Sequence, residues 1–556
     1  MQPTSRQPAH KNPDLKGTRA QLWQLLAPES NFYGVIIVYG IAISLLTLAV
    51  PIAVQTLINS IANLGALRAV YSLALALFLI LLSYGALSAL RVWMSELYRR
   101  RVFTRLSAEI SFSVIRAPAW FFEGGRNAGL THRYFDIMTL QKNVPRLLAD
   151  GFALVLQMVV GFTLVAFYHP ALFLFNVMVI LTVMVIWKVW SGGARRHALA
   201  LSREKYAMAR WLNQMEIAHE FFKTGRHVDL AADKTATSTQ RYLASHRDLF
   251  RFTFSHPLSF LFLYALGSAA LLGLGGWLVT LGELSIGQLV AAELVMASIF
   301  VGLSRFSSYL KDYYELYGAA DKLAEVLSIP EEQGDNGMTA PERGPLCFAN
   351  VVITRGEHRC RLQECIESGE KVLLRADQAW IQRSVLSVLR AHHPPQSGHI
   401  TLAGRALQDL DVHELRNGIH AIDRSPILGS TIGEYLQLNA PSADTAAIHN
   451  ALDAVGLGAV VADFPAGIDT PLSQTCAPLQ GAEMLLLKLA AALLAQPAIL
   501  VLNQLFDQVT PEVRNQVFTV LARQDFTVMY FSSLSAEAPF GRYIELLATE
   551  ANAPYG

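Results

Sequence analysis

Charge is what this sequence has least of. Only 16% of its 556 residues are Asp, Glu, Lys or Arg, while 52% are hydrophobic. An average soluble domain carries about 25% charged residues, so the composition points to a membrane protein. The net charge is +1, which leaves no electrostatic argument for a nucleic-acid partner. Cysteine is scarce too. Its four copies, Cys347, Cys360, Cys365 and Cys476, all fall in the C-terminal part, at spacings that match no zinc pattern. The expectation is free thiols in a reducing compartment. No low-complexity tract and no short internal repeat interrupts the chain. The N-terminus lacks an early apolar run, since MQPTSRQPAHKNPDLKGTRAQLW is polar and mildly basic. The run beginning near Phe32 is too long and too late for a cleaved signal peptide, and reads as a first membrane span.

What is abundant is charge-free length. A bilayer-crossing helix needs about 20 apolar residues. Such stretches run from about Phe32 to Ile58, Ala69 to Leu90, Gly151 to Tyr168, Ala171 to Trp187, Pro257 to Val279, and Gly287 to Leu303. His169-Pro170 joins the third to the fourth as a tight hairpin. Segments 91–150 and 188–255 are long, polar and rich in arginine, whereas the three short connections carry only Arg68 among them. The positive-inside rule therefore puts both long segments, and both termini, in the cytosol. Their helical periodicity and sparse Gly/Pro punctuation predict membrane helices that extend far beyond the bilayer.

Residues 1–30 read as a cytosolic N-terminal segment, 31–328 as a six-span domain and 329–345 (IPEEQGDNGMTAPERGP) as a linker. From 346 to 556 the composition is that of an α/β domain. Short β-type runs (KVLL, GHITLAG, AILVL, FTVMYF) alternate with helical stretches, which predicts a largely parallel sheet flanked by helices.

This plan resembles a half-transporter of the ATP-binding cassette (ABC) exporter class, and the resemblance covers nearly the whole chain. PIAVQTLINSI (51–61), RYFDIMTLQK (133–142) and LGELSIGQLVAAELV (281–295) are similar to the branch that exports peptides and proteins. SGEKVLL (368–374), PQSGHITLAGRALQDLDVHELR (395–416), STIGEYL (430–436) and GIDTPL (467–472) keep the framework of the cassette. The fold class implied is a six-helix exporter-type membrane domain followed by a cytosolic α/β domain of the P-loop, RecA-like kind. Family geometry would make Pro118–Arg126 and about 210–223 the loop tips that dock on the cassettes.

The chemistry departs from that framework. A phosphate-binding loop, G-x-x-x-x-G-K-[ST], cradles phosphate with backbone N–H groups, reaches it with lysine and helps hold Mg²⁺ through a hydroxyl. Alignment on GEK puts Ala376, Ala379 and Ile381 where glycines belong, Gln382 at the lysine and Arg383 at the Ser/Thr. Trp380 adds an indole expected to obstruct the loop. The adenine-stacking aromatic falls on Arg355 and the switch glutamine on Arg424. The signature L-S-G-G-Q reads Leu479-Gln480-Gly481-Ala482-Glu483, where Gln480 and Ala482 replace Ser and Gly. Glu483 would turn a carboxylate on a polyphosphate, where a helix N-terminus needs donors and positive charge. In AILVLNQLFD (498–507) the Mg²⁺-linked aspartate falls on Asn503 and the catalytic glutamate on Gln504. The following loop aspartate falls on Thr510 and the switch histidine on Ser533. No lysine, histidine or carboxylate pair is expected nearby to substitute. Amides keep the shape of the lost carboxylates without an unpaired buried charge.

The sequence thus implies a folded cassette with no catalytic residues, no cofactor, and ATP and Mg²⁺ binding lost. Inside the membrane, Gln55, Asn59, Gln157 and Glu293 are candidates for a transport path or a helix interface. GLGG (273–276) would permit close helix approach. Two functions from different classes remain. One is the non-hydrolysing half of a heteromeric exporter of peptides, proteins or other amphipathic substrates, paired with an ATPase-competent subunit. The other is an ATP-independent homodimeric scaffold, regulator or accessory factor of a secretion system. Either partner arrangement places the chain in membrane lipid, in a bacterial inner membrane by expectation.

Overall fold

The structure, a computed structural model, describes residues 23, 25–63, 67–122, 130–332, 343–533 and 540–550. It comprises two compact units that divide at Glu331 and Glu332.

In the first unit, six helical stretches are long and apolar enough to cross a membrane: Ala27–Ser60, Val70–Ile115, His132–Ala166, Pro170–Ile217, Gly225–Thr280 and Ile286–Leu327. They make the chain an integral membrane protein with six spans. The polar segments are continuations of the same helices, as the sequence predicts: Pro170–Ile217 passes unbroken from apolar to arginine-rich turns. Helix starts follow local chemistry. Pro170 occupies the first position of its helix, and the His169 ring nitrogen accepts the Ala171 N–H at 3.1 Å. The sixth span opens with a reciprocal cap, Ser285 Oγ accepting from Gln288 N–H and Gln288 Oε1 from Ser285 N–H.

Two spans differ from their uninterrupted reading. The first breaks between Leu46 and Ala49, where Pro51 has no N–H to offer the carbonyl of Thr47. The third begins earlier than Gly151. It is helical from Phe135, carries Pro145 internally, and widens to a π-turn over Leu147–Gly151. Bare glycines set the packing distances. A Cβ on Gly275 would lie 2.4 Å from Leu289 Cδ1, and one on Gly267 would lie 2.3 Å from Phe300 Cζ. Within GLGG it is therefore Gly275 that lets helices approach; Gly273 and Gly276 face open space. Phe262, Leu174 and Leu82 point outward and are exposed, as lipid-facing side chains must be.

In the second unit, five strands run parallel in the order Arg542–Leu546, Lys371–Ala376, Thr527–Phe531, Ile499–Leu502, Ile419–Ile422. Every side chain of Ile499–Leu502 and Thr527–Phe531 is buried. Central strands covered on both faces require such continuous apolar runs. A second sheet pairs Leu346–Arg355 antiparallel with His358–Leu362 and Ser397–Leu402. Lys371 anchors the start of its strand by donating to the carbonyls of Gly369, Gln524 and Phe526 at 2.6, 2.6 and 3.0 Å.

The expectation of four free thiols is corrected. Cys347 and Cys365 face each other across an antiparallel strand pair and form a disulfide, a juxtaposition that only the strand register reveals. Cys360 and Cys476 are free and buried, and burial pushes the Cys360 thiol up to about 11.

Candidate functional site

The parallel strands end at a cleft of about 510 Å³. One wall is the first turns of the helix Ala379–Leu389, contributing Ala379, Gln382 and Arg383. The facing wall is built from Asn503, Gln504, Asp507 and Gln508, with Asp423 and Ser533 at the neighbouring strand ends. Arg355, Ala376, Ile381, Arg424, Gln480, Ala482, Glu483 and Thr510 are not among the lining residues.

The loop that would cradle phosphate is short. The strand Lys371–Ala376 is followed by only Asp377 and Gln378 before the helix begins at Ala379. Ala379, Ile381, Gln382 and Arg383 are therefore helical, and the Ile381 N–H bonds the Gln378 carbonyl at 3.1 Å. No residue from Glu370 to Arg390 has a positive φ, whereas N–H groups converging on an anion need alternating αR and αL conformations. Asp377 is drawn away, accepting the Ala548 N–H at both carboxylate oxygens. Trp380 corrects its expected role. It is 6% exposed, packed in the core, and its Nε1–H donates to Gln378 Oε1 at 2.7 Å. An amphipathic first turn buries the indole in the core, so the side chain does not stand in the loop.

At the end of Ile499–Leu502, the Asn503 Oδ1 accepts the Leu505 N–H at 2.7 Å and caps the turn Gln504–Gln508. That turn delivers Asp507 into the cleft. Its Oδ1 accepts from the hydroxyls of Tyr530 and Ser532, and its Oδ2 from the N–H and hydroxyl of Ser533. Burial, reinforced by the bond to Asp507, drives the Tyr530 phenol well above its usual range. A second carboxylate, Asp423, accepts from the N–H and hydroxyl of Ser425 and from Lys488 at 3.3 Å. Burial raises its pKa, but these bonds together hold it below the usual carboxylate value. Lys488 is 7% exposed and also donates to the carbonyls of Asp423 and Ser425 at 2.8 and 2.6 Å.

The expectation that no carboxylate pair or lysine stands nearby is thereby overturned. Asp423 and Asp507 line the cleft and Lys488 supports it. Sequence reasoning missed all three because none occupies a motif position. The signal was Asp507 itself, a lone acid a few residues past an apolar strand. Both carboxylates are already surrounded by donors, and among the described residues no group of three His, Cys, Asp or Glu side chains is arranged to hold a metal.

The segment Leu479–Glu483 also differs from its expected role. Glu483 accepts the Gln480 N–H at 2.7 Å within a reciprocal cap at the start of Gly481–Ala495. Its carboxylate turns back on its own helix. Arg424 donates to Gln508 Oε1, and a Cβ on Gly481 would lie 3.3 Å from its Nη2. Thr510 begins the helix Pro511–Ala522 without a side-chain cap, and Arg355 ends its strand exposed.

The four membrane candidates do not converge. Gln55 accepts the Tyr168 hydroxyl at 2.7 Å, and a Cβ on Gly287 would meet Asn59 Oδ1 at 2.3 Å and the Gln55 carbonyl at 3.0 Å. Both belong to a helix interface. Gln157 donates to Ser298 at 2.8 Å beside a separate cavity. Glu293 has one buried carboxylate oxygen without a hydrogen bond among the described residues.

No protein-family model matches the chain. It is 24% identical over 536 residues to the ATP-binding cassette sub-family B member 10, mitochondrial, of Mus musculus, covering 91% of this chain and 73% of that protein. It is 21% identical to the leukotoxin translocation ATP-binding protein LktB of Mannheimia glucosida, covering 84% and 67%. Among solved structures, one titled a bacterial Atm1-family ABC exporter with ATP bound superposes with a TM-score of 0.77 at 17% identity, covering 95% of each chain. The fold is that of an ABC exporter half: six apolar helical spans and a C-terminal α/β unit.

Proposed function

We propose that this chain is an exporter-type subunit that neither binds nor hydrolyses ATP, and that it acts as the non-hydrolysing half of a heteromeric exporter. The observation that carries the reading is the early start of the helix at Ala379, which leaves Asp377 and Gln378 alone where a phosphate cradle would stand. The rest of the cleft agrees. The lysine position is Gln382, the strand tip is Asn503-Gln504, and Asp423 and Asp507 spend their lone pairs on protein donors. General acid–base assistance contributes about 10²–10⁴-fold and charge stabilisation of transferring phosphate still more. A cleft without these groups supplies neither. Its amides and saturated acids serve the fold.

A second reading has its own support. The cap between Glu483 and Gln480 occupies the helix end that a partner's nucleotide would need. This favours a homodimer working as a membrane scaffold or secretion-system accessory without ATP. Purification of the full-length chain from its native membrane, in our reading a bacterial inner membrane with both termini cytosolic, separates the two. A stoichiometric subunit with an intact cassette supports the first, and a lone homodimer or a partner of another kind supports the second. Magnesium-dependent hydrolysis by the purified chain that disappears in Gln504→Ala would sink both.

A further inference from the structure

We propose that Cys347 and Cys365 form a reversible thiol–disulfide site that exchanges with glutathione-type thiols and staples the strand Leu346–Arg355 where the chain enters the second unit. The two residues lie 18 apart in sequence and directly opposite each other in an antiparallel register. Other contacts maintain that register. The Phe348 N–H donates to the Glu364 carbonyl at 2.7 Å, and the neighbouring pair, Leu346 and Ile366, is buried. Arg542 donates to the Cys365 carbonyl and to Glu364 Oε2, both at 2.6 Å. The backbone thus holds the two side chains as a directly opposed cross-strand pair, and closing the bond requires no rearrangement of the chain.

Exposure decides which thiols react. Cys365 is exposed and Cys347 half-buried, whereas Cys360 and Cys476 are buried. Burial raises both of those thiols above their usual range, which keeps them protonated and inert. In oxidation, the Cys365 thiolate attacks one sulfur of glutathione disulfide, forming a mixed disulfide at Cys365 and releasing one glutathione thiolate. The Cys347 thiolate then attacks the Cys365 sulfur and releases the second glutathione. Two electrons pass from the protein to glutathione, and the two protein protons end on the two released thiols. Reduction runs the same steps backwards, entering at Cys365. A cytosolic glutathione pool keeps ordinary thiols reduced, and disulfides found there are as a rule transient and redox-sensing. The use of this pair as a signal rests on the reading of the second unit as cytosolic; its chemistry does not.

The test equilibrates the full-length protein in detergent, without nucleotide or oxygen, in buffers from pure glutathione disulfide to a large excess of glutathione. Acid quenches exchange, and a maleimide–polyethylene glycol label applied after unfolding counts the free thiols. Between the two extremes the count should rise from two to all four cysteines. Cys360→Ser and Cys476→Ser should each lower both counts by one without moving the transition. Offered glutathione disulfide, Cys347→Ser should hold one glutathione on Cys365 by intact mass. Cys365→Ser should be modified several times more slowly, because its remaining partner thiol is half-buried. Amide hydrogen exchange over 346–350 should quicken on reduction, and exchange in Ile499–Leu502 should not. Two thiols in every buffer would make the bond a permanent structural one, and four in every buffer would deny that it forms. Equal modification of the two single variants would remove Cys365 as the point of entry, and unchanged exchange over 346–350 would remove the staple. Any of these overturns the proposal. None of the readouts involves ATP or the native compartment, so the result stands apart from the test of the cassette.

Discussion

Asp507 and Ser533 are joined twice, by the Ser533 N–H to Asp507 Oδ2 at 2.9 Å and by the Ser533 hydroxyl at 3.0 Å. The turn after one strand is thereby laced to the end of its neighbour, at the position where the family resemblance would put a histidine. Asp507→Ala takes an acceptor away from the Tyr530 hydroxyl as well as from the Ser533 N–H. Each buried unsatisfied group costs about 1–3 kcal/mol, so the melting temperature of the full-length protein in detergent should fall by several degrees. Asp507→Asn should cost less, since the amide keeps one acceptor oxygen. An unchanged melting temperature in the alanine variant would refute the bracing role.

Restoring side chains should not restore nucleotide binding. Gln382→Lys, Asn503→Asp and Gln504→Glu combined return three expected groups, yet the backbone from Ala379 remains helical. Photolabelling with 8-azido-ATP should stay at background in this triple variant. Clear labelling that excess ATP competes away would show that the side chains alone had been limiting.

Glu483→Ala removes the cap at Gln480 and should cost about 0.5–2 kcal/mol, in the range measured for lost helix caps. Glu483→Gln keeps the acceptor and should remain near wild type. Thermal unfolding of the two variants side by side distinguishes a structural carboxylate from a merely exposed one.

Arg416 grips Glu332 in a fork, at 2.8 and 2.6 Å, and that hydrogen bonding lowers the Glu332 pKa from its usual 4.5. A depressed carboxylate stabilises the fold fully above pH 4.5 and stops doing so as pH falls through the lowered value. Wild type should therefore exceed Glu332→Gln in melting temperature at neutral pH, and the two should converge in acid. A gap that persists after pH has fallen well past the lowered value would place the effect elsewhere.

Gly287→Leu should disturb the first and sixth spans together. Its Cβ would stand 2.3 Å from Asn59 Oδ1 and 3.0 Å from the Gln55 carbonyl. The side chain could rotate away but the backbone could not, which sets a cost of about 1–3 kcal/mol for overpacking. Lower yield of monodisperse protein and a lower melting temperature are the expected signs.

The elements were legible where hydrophobic pattern alone decides them. Ile499–Leu502 and Thr527–Phe531 are strands because nothing polar interrupts them, and the spans lie where charge is missing. The break at Leu46–Ala49 was harder to see, because a proline early in a helix is usually harmless. The cleft was legible by subtraction only. Alignment marks which residues have gone, but Asp507 enters through a turn whose direction depends on the Asn503 cap. Lys488 and Asp423 lie 65 residues apart and meet only through the packing of Gly481–Ala495. The burial of Trp380 depends on where its helix starts, which the neutral stretch Gln378–Ile381 does not announce. Cys347 and Cys365 needed a strand register.

The helix Gly225–Thr280 has 56 residues without a break. At 1.5 Å per residue it extends about 84 Å, against a hydrocarbon core of about 30 Å. Most of it must stand in water as a continuous rod. Its wet part and its lipid-embedded part belong to one helix, and Pro257, where the apolar stretch begins, is the place along it where an intrahelical N–H is missing.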